Sequence, residues 1–167
     1  MIREANIHDS SRLGEIHTLG WRHAYKEFIP MDYLINKMTI KNQEEKFKGY
    51  LSDKNNHYKI NIYEDNGIIK GFMTMADSED EDKNNTSFEL AAIYIDPLFQ
   101  RQRIGTDLVN YCLEYAKKNG KIEMLVWVYE KNYGSIEFYK KIGFSPDGKN
   151  RMDERFNEKV IRLRMDI

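Results

Sequence analysis

The stretch that organises the chain is Gln100-Arg101-Gln102-Arg103-Ile104-Gly105-Thr106. It follows an apolar run over residues 90–95, and helical spacing of apolar residues begins at Ile104. A helix that starts here directs several backbone N–H groups to one spot, where the helix dipole adds positive potential. Arg101 and Arg103 add full charges, and Gly105 allows a close approach to the backbone. The stretch suits a pyrophosphate; the alternative is an ordinary strand-to-helix turn with two solvated arginines.

A second patterned stretch lies downstream, between Asn132 and Phe144. Asn132 precedes a helical pattern that contains Ser135 and the aromatic pair Phe138-Tyr139, and Gly143 ends it. An asparagine at the start and a glycine at the end are ordinary helix boundary signals. The stretch therefore predicts a short helix followed by a strand.

Both stretches resemble motifs of the GNAT superfamily of N-acetyltransferases. Gln100 and Gly105 fit the first and last positions of the pyrophosphate-loop pattern Q/R-x-x-G-x-G/A, with Arg103 in place of the first glycine. The downstream stretch is similar to N-x-x-A-x-x-F-Y-x-x-x-G-F, with Ser135 in place of alanine. The two motifs cover residues 88–145, and the order of the predicted elements extends the resemblance to most of the chain.

The resemblance implies a single N-acetyltransferase domain over residues 1–167 that uses acetyl-CoA as acyl donor. The implied fold class is α/β (α+β), with a GNAT-type mixed central sheet of about six to seven strands. Helices would cover both faces, and a splayed pair of parallel strands would form the cofactor site. The residues implied to bind the cofactor are Ile93, Tyr94, Ile95, Gln100, Arg101, Gln102, Arg103, Ile104, Gly105, Thr106, Asn132, Ser135 and Tyr139.

Glu89 is a charged residue inside an otherwise apolar predicted strand, Phe88 to Ile95. Strict alternation puts Glu89, Ala91, Ile93 and Ile95 on one face and Phe88, Leu90, Ala92 and Tyr94 on the other. Burial would raise the pKa of Glu89 and suit it to proton abstraction. The alternative is an edge residue that faces water. The resemblance implies that Glu89 is the general base and that Tyr139 protonates the leaving sulfur.

The N-terminal third predicts a short strand, a helix from Ser10 to Tyr25 capped by Asp9, and a further helix after Thr39. Trp21, Tyr25 and Tyr33 resemble a W-x-x-A-Y…P…Y-L pattern of part of the superfamily, in which these helices form a wall of the acceptor site. The alternative is that these aromatic side chains simply pack in the core.

The middle of the chain predicts a β-hairpin, because Asp65-Asn66-Gly67 separates two strand patterns and Asn-Gly accepts positive φ cheaply. The acidic segment 77–85 that follows is either a solvated loop or an attractor for a cationic amine.

The remaining pattern predicts a helix from Ile104 that stops at Gly120, then a nearly continuous apolar strand over residues 122–128. Strand, helix and strand in this order imply a right-handed crossover with parallel pairing. Asp147-Gly148 predicts a turn, and Val160 to Met165 predicts a last, antiparallel strand.

The composition excludes several classes of protein. The chain has 167 residues, 41% hydrophobic and 32% charged, with a net charge of −1 and no basic block, so a nucleic-acid partner is not expected. No apolar run approaches the ~18 residues of a membrane span, and no leader pattern follows Met1, so we expect a cytoplasmic protein without membrane partners. The four histidines show no metal spacing. Cys112 is either a core residue or a reactive thiol.

The leading hypothesis is an N-acetyltransferase that moves an acetyl group from acetyl-CoA to a primary amine of a small molecule or peptide. Transfer would be direct, through a ternary complex, and a homodimer is an expected assembly because dimers are common in the superfamily. The alternative is an acyl-CoA-binding sensor or partner domain without turnover, which Arg103 favours. A P-loop nucleotide hydrolase is disfavoured, because no G-x-x-x-x-G-K-[S/T] is present.

Overall fold

The computed structural model describes residues 1–167, and its centre is a seven-stranded mixed sheet. The strands are β1 (Ile2–Glu4), β2 (Lys59–Asp65), β3 (Ile68–Asp77), β4 (Ser87–Ile95), β5 (Glu123–Tyr129), β6 (Ser145–Asp153) and β7 (Glu158–Asp166). Their order across the sheet is β1-β2-β3-β4-β5-β7-β6, and only the β4–β5 pair is parallel. This confirms the predicted fold class and the single parallel crossover.

Five helices cover the sheet: α1 (Ser10–Tyr25), α2 (Met31–Asn36), α3 (Ile40–Ser52), α4 (Ile104–Lys118) and α5 (Tyr133–Ile142). Short 3₁₀ turns precede α1 and follow β4. The apolar stripes of α4 and α5 pack on one face, where Leu108 and Ile136 join the largest core cluster. On the other face Leu13 of α1 and Phe47 of α3 pack on β2 and β3. The helices therefore cover both faces, as their 3.6-residue periodicity requires.

The helices begin at the predicted residues, but one of the predicted cap residues makes a different contact. Thr39 accepts a hydrogen bond from the Asn42 N–H at 3.2 Å and caps α3 as expected. Asp9 lies at the N-cap position of α1, but it makes no cap hydrogen bond to that helix. Its carboxylate instead pairs with Arg3 at 2.8 Å, because a charge partner on β1 lies within reach. The N-terminal strand is thereby fixed to the start of α1.

The hairpin between β2 and β3 turns at Asn66 and Gly67, whose φ angles are 50° and 75°. Two successive positive φ angles match the right-handed twist of the flanking strands. The prediction from Asn-Gly is confirmed.

A β-bulge in β4 overturns the predicted alternation along this strand. Thr74 pairs with Ala92 and Met75 pairs with Leu90, so Ala91 is an extra residue without a partner on β3. Leu90 consequently lies in the α4–α5 core, against which Ile93 also packs, although strict alternation had put the two on opposite faces.

Asp147-Gly148 is a bulge inside β6 and not the predicted turn. The β6–β7 register shifts between Pro146 and Asn150, and β6 continues to Asp153 before the chain reverses. The Asp147 carboxylate is held by Arg162 at 2.7 Å, and Gly148 supplies a φ of +87°. An ion pair with the neighbouring strand thus favours a local kink over a reversal.

Arg162 of β7 is the most deeply buried charge, with 2% of its side chain exposed. Its guanidinium donates to Asp147 at 2.7 Å, to Asp80 at 2.8 Å and to Asp82 at 2.7 Å. The Arg162 charge lowers the pKa of Asp82 well below its usual range. Two carboxylates of the acidic segment are therefore engaged with the sheet rather than free to attract a cationic amine.

Replacing Arg162 with methionine is expected to lower the free energy of unfolding by about 2–3 kcal/mol. Breaking a buried ion pair costs about 3–5 kcal/mol. We expect a smaller loss here because the aspartates keep partial access to water. Urea unfolding followed by circular dichroism measures the change. Lys149→Met on β6 is the matched control, since Lys149 is 56% exposed and its contact with Asp82 is long, at 3.8 Å. Equal stabilities of the two variants would contradict the structural role of Arg162.

Candidate active site

A cleft opens in the sheet where β4 and β5 separate. The two strands pair only through Ser87–Glu89 and Glu123–Leu125, and beyond these residues β5 stays paired with β7 alone. The bulge at Ala91 lies two residues after Glu89, the last residue of β4 that pairs with β5, and it bends the strand there. The resulting cavity has a volume of about 430 Å³, within the usual size range of small-molecule sites.

Eight of the predicted site residues line this cleft: Trp21, Tyr25, Glu89, Ile93, Tyr94, Asn132, Ser135 and Tyr139. Ile95 is the last residue of β4 and the 100–106 stretch follows that strand, so neither lines the cavity. Tyr33 packs in the hydrophobic cluster behind Trp21 and Tyr25. The fold thus gathers side chains from α1, β4 and α5 into one cavity, although they are far apart in the sequence.

Glu89 is a half-buried carboxylate that makes no hydrogen bond or ion pair within the protein. Burial raises its pKa above the ordinary value, and the nearby charge of Asp80 raises it further, while Arg151 acts in the opposite direction. A carboxylate with a raised pKa and free oxygen atoms can accept a proton from a ligand or a water molecule. The structure places Glu89 in the cleft and excludes the alternative of a fully solvated edge residue.

Tyr139 of α5 is 5% exposed, and its hydroxyl makes no hydrogen bond within the protein although it lines the cleft. Burial raises the pKa of this phenol well above its usual value. The hydroxyl therefore stays protonated at neutral pH and can donate to a group in the cleft.

The backbone of β4 presents N–H groups to the gap. The Asp96 N–H donates to the Lys70 carbonyl of β3 at 2.9 Å. Because hydrogen bonding alternates along an antiparallel strand, Tyr94 also faces β3, whereas the N–H groups of Ile93 and Ile95 face the gap. Tyr94 therefore contributes its side chain to the cleft, but no backbone N–H group.

The 100–106 stretch has a backbone conformation unusual for its residue types. Arg101 and Arg103 both adopt left-handed conformations, with φ angles of 62° and 64°. A side chain at such a φ costs about 1–2 kcal/mol, which glycine avoids. Arg103 therefore keeps the conformation expected of the glycine that it replaces.

Free backbone donors make this stretch a suitable cradle for an anion. No backbone N–H from residue 101 to residue 106 donates a hydrogen bond within the protein, and the first helical bond runs from the Asp107 N–H to the Arg103 carbonyl. Arg103 caps α4 without a side-chain hydrogen bond. The residues therefore fit a pyrophosphate by the chemistry of their donors.

Gly105 has a packing role as well. A Cβ atom at this position would lie 3.1 Å from Cζ of Phe138, closer than ordinary van der Waals contact. The missing side chain lets α4 approach α5 closely. Substitutions of Gly105 would disturb this contact, so they do not test ligand binding alone.

Asn132 begins α5 as predicted. Its Oδ1 accepts a hydrogen bond from the Ser135 N–H at 3.2 Å, which fixes the side chain at the edge of the cleft. Its amide nitrogen has no acceptor within the protein and is free to donate to a ligand.

Two of the three aromatic residues of α1 and α2 line the cleft, and the third packs in the core. Trp21 and Tyr25 pack edge to face, with ring centroids 4.9 Å apart, and both line the cleft. The indole N–H of Trp21 is buried without an acceptor. Tyr33 packs on Phe156 with centroids 4.8 Å apart and does not reach the cavity, so the structure supports the packing interpretation for Tyr33.

The sequence reasoning missed the cleft residues of β5 and β6, chiefly Trp127 and Arg151. No motif or spacing marks them, because they meet through strand pairing across the sheet. Cys112 is fully buried, and burial raises the pKa of its thiol to about 12, so the core interpretation holds. None of the five helices has the length and apolarity that a bilayer crossing requires.

Comparison with known proteins gives the family. The sequence model of the Acetyltransferase (GNAT) family matches residues 12–144. The uncharacterized N-acetyltransferase YuaI of Bacillus subtilis is 32% identical over 163 residues, which cover 98% of this chain and 88% of that protein. The spermidine N(1)-acetyltransferase of Thermoplasma acidophilum is 23% identical over 155 residues, 91% of this chain and 92% of that protein.

A solved structure shows the same fold. The crystal structure of the PaiA N-acetyltransferase from Thermoplasma acidophilum, in complex with coenzyme A, superposes with a TM-score of 0.80 and 21% identity. The likeness covers 100% of this chain and 98% of that one. Acetyl-CoA as the acyl donor fits this family and the free donors of the cleft. The chain belongs to the GNAT family of acetyltransferases.

Proposed function

We propose that the protein transfers an acetyl group from acetyl-CoA to a primary amine of a small molecule or peptide, directly and through a ternary complex. The observation that carries this proposal is that an unpartnered carboxylate and an unpartnered phenol line the same cleft between β4 and β5. The name of one relative, the spermidine N(1)-acetyltransferase of Thermoplasma acidophilum, includes a small amine, which supports an acceptor of this class.

Acetyl-CoA supplies an acetyl group activated as a thioester. The backbone N–H groups of residues 101–106, together with the Arg101 and Arg103 guanidinium groups, would hold its diphosphate. The N–H groups of Ile93 and Ile95 would bind the pantetheine amides along the exposed edge of β4. The free amide nitrogen of Asn132 and the Ser135 hydroxyl would contact the cofactor from α5.

Glu89 would take the proton that the amine loses, directly or through a water molecule. The nitrogen then forms its bond to the acetyl carbon as the carbon–sulfur bond breaks. The Tyr139 hydroxyl would donate its proton to the leaving sulfur, so no covalent acyl-enzyme is needed. Cys112 is buried in the core and takes no part.

Replacing Tyr139 with phenylalanine is expected to lower kcat at least ~10-fold, because only the proton donor is removed. The free energy of unfolding should change by less than about 1.5 kcal/mol, the upper end of one ordinary hydrogen bond. Tyr133→Phe on the same helix is the matched control, since Tyr133 is 72% exposed and lies outside the cavity lining. Wild-type kcat in Tyr139→Phe, with chemistry shown to be rate-limiting, would assign proton donation to another group.

The alternative of an acyl-CoA sensor without turnover rests on Arg103. The glycine-like conformation of this residue and the free N–H groups beside it show that Arg103 leaves the backbone donors available. Both an enzyme and a sensor would bind acetyl-CoA through them, so turnover of an amine separates the two. A cytoplasmic location and a homodimer stay predictions, which cell fractionation and light scattering test.

A further inference from the structure

We propose that the acceptor carries a carboxylate, which Arg151 binds while the amine of the same molecule faces Glu89. This inference rests on the proposed acetyltransferase function and names the class of acceptor: α-amino acids or similar amino carboxylates. The arrangement that carries it is an exposed guanidinium that stacks on an indole, has no hydrogen-bonding partner in the protein and lines the same cleft as Glu89.

Arg151 lies on β6 opposite Val160, and its side chain reaches back over the sheet to the cleft. Its Cζ atom is 4.2 Å from the ring centroid of Trp127, so the guanidinium stacks on the indole. A stacked guanidinium keeps the N–H groups of its edge free for a planar anion.

The stacking platform is itself fixed. The Trp127 indole N–H donates to Asp80 Oδ2 at 3.1 Å, and Arg162 holds the same oxygen at 2.8 Å. The Arg151 guanidinium is therefore positioned before a ligand arrives, which lowers the entropic cost of binding.

Most of the arginines are bonded to protein oxygen atoms. Six of the nine are hydrogen-bonded to protein oxygen atoms: Arg3, Arg12, Arg22, Arg155, Arg162 and Arg164. Arg101 and Arg103 lack protein partners and belong to the proposed diphosphate cradle. Arg151 is the third, and it lines the cleft that holds Glu89, so we infer that its partner is a ligand.

The charges around the cleft complement a zwitterion. Arg151 and Glu89 carry opposite charges and line the same cleft, and the Arg151 charge acts to lower the pKa of Glu89. The nearby Asp153 forms an ion pair with Arg155 at 2.6 Å and accepts a hydrogen bond from the Tyr129 hydroxyl at 2.6 Å. Glu154 is exposed at the β6–β7 turn and is the carboxylate that a diamine acceptor would use instead.

The test compares acceptors with and without the carboxylate. The twenty standard L-amino acids, their amides, their decarboxylated amines and spermidine are assayed by thiol release from acetyl-CoA. We expect at least one amino acid to react with a kcat/KM about 10–100-fold above that of its amide, because one charge-assisted hydrogen bond contributes a factor of about this size. In Arg151→Gln, KM for that amino acid should rise about 10–100-fold with kcat nearly unchanged, and the amide should react as before.

Two control variants distinguish the loss of carboxylate binding from a general effect of the substitution on the protein. Arg151→Lys should restore part of the affinity, because the charge returns without the planar fork. Lys149→Gln removes the same charge from the same strand outside the cleft and should leave KM unchanged. Calorimetric titration of the amino acid into protein saturated with coenzyme A should show the same loss of affinity in Arg151→Gln without any turnover.

Several outcomes would overturn the inference. The amides or decarboxylated amines could react as well as the amino acids, or Arg151→Gln could affect both classes equally. Preferred reaction of spermidine that depends on Glu154, shown by Glu154→Gln, would assign a diamine acceptor. All of these leave the acetyltransferase function intact, whereas acetyl-CoA binding without reaction of any amine would contradict the function itself.

Discussion

Replacing Glu89 with glutamine should lower kcat roughly 10²–10⁴-fold at neutral pH, the usual contribution of a general base. Glutamine has nearly the same shape and cannot accept the proton of the amine. Because Glu89 makes no hydrogen bond or ion pair within the protein, the fold loses no contact, and the affinity for acetyl-CoA should barely change. Steady-state kinetics and calorimetry measure the two quantities.

The pH dependence of the rate identifies the group further. The base acts only when deprotonated, so kcat should rise with pH through the pKa of Glu89. Burial raises that pKa above the ordinary glutamate value, and Arg151 opposes the rise. The rise of kcat with pH should disappear in Glu89→Gln. It should persist in Glu81→Gln, a matched change on the exposed acidic segment. Near-normal turnover of Glu89→Gln would transfer the role to another residue.

The second large effect concerns the cofactor. Reversing both charges of the cradle, in Arg101→Glu/Arg103→Glu, is expected to weaken acetyl-CoA binding by at least about 100-fold. Each guanidinium loses a charge-assisted hydrogen bond, about 1.5–3 kcal/mol, and each new carboxylate repels the diphosphate. Both side chains are exposed, so the substitutions leave the core untouched.

The matched control is Lys117→Glu/Lys118→Glu at the opposite end of α4. It makes the same change in net charge at the other end of α4, far from the free N–H groups. Calorimetry should show acetyl-CoA affinity within about threefold of wild type, with a small loss of helix stability from the dipole. Equal weakening by both pairs would mean that overall charge, and not the cradle, determines affinity.

The sequence predicts the β2–β3 hairpin and the start of α4 because the signals for both are local. Asn66-Gly67 specifies its own turn, and the stretch after β4 specifies a helix start. The bulge at Ala91 escaped prediction, since an extra residue in a strand is visible only against its partner strand. That bulge moves Glu89 to the face opposite Ile93, and the strict alternation placed these two residues together.

The part of the cleft formed by β5 and β6 is the least predictable from the sequence, for a related reason. Arg151 and Trp127 meet across β5, β7 and β6, and Asp80 joins them from a loop. No sequence period connects such residues, because their contact depends on the order of strands in the sheet. The ion pairs of the acidic segment are equally invisible in the local sequence, since its partner Arg162 lies about 80 residues downstream.

The most direct test of acetyl transfer follows the acetyl group itself. The protein is incubated with acetyl-CoA that carries a ¹³C-labelled acetyl group and with the amine panel, and the acceptors and the intact protein are analysed by mass spectrometry. We predict a labelled acetyl group on the nitrogen of an acceptor, one thiol released for each transfer, and no label on the protein. Tight binding of acetyl-CoA with no labelled acceptor and no released thiol would contradict the account and identify a sensor.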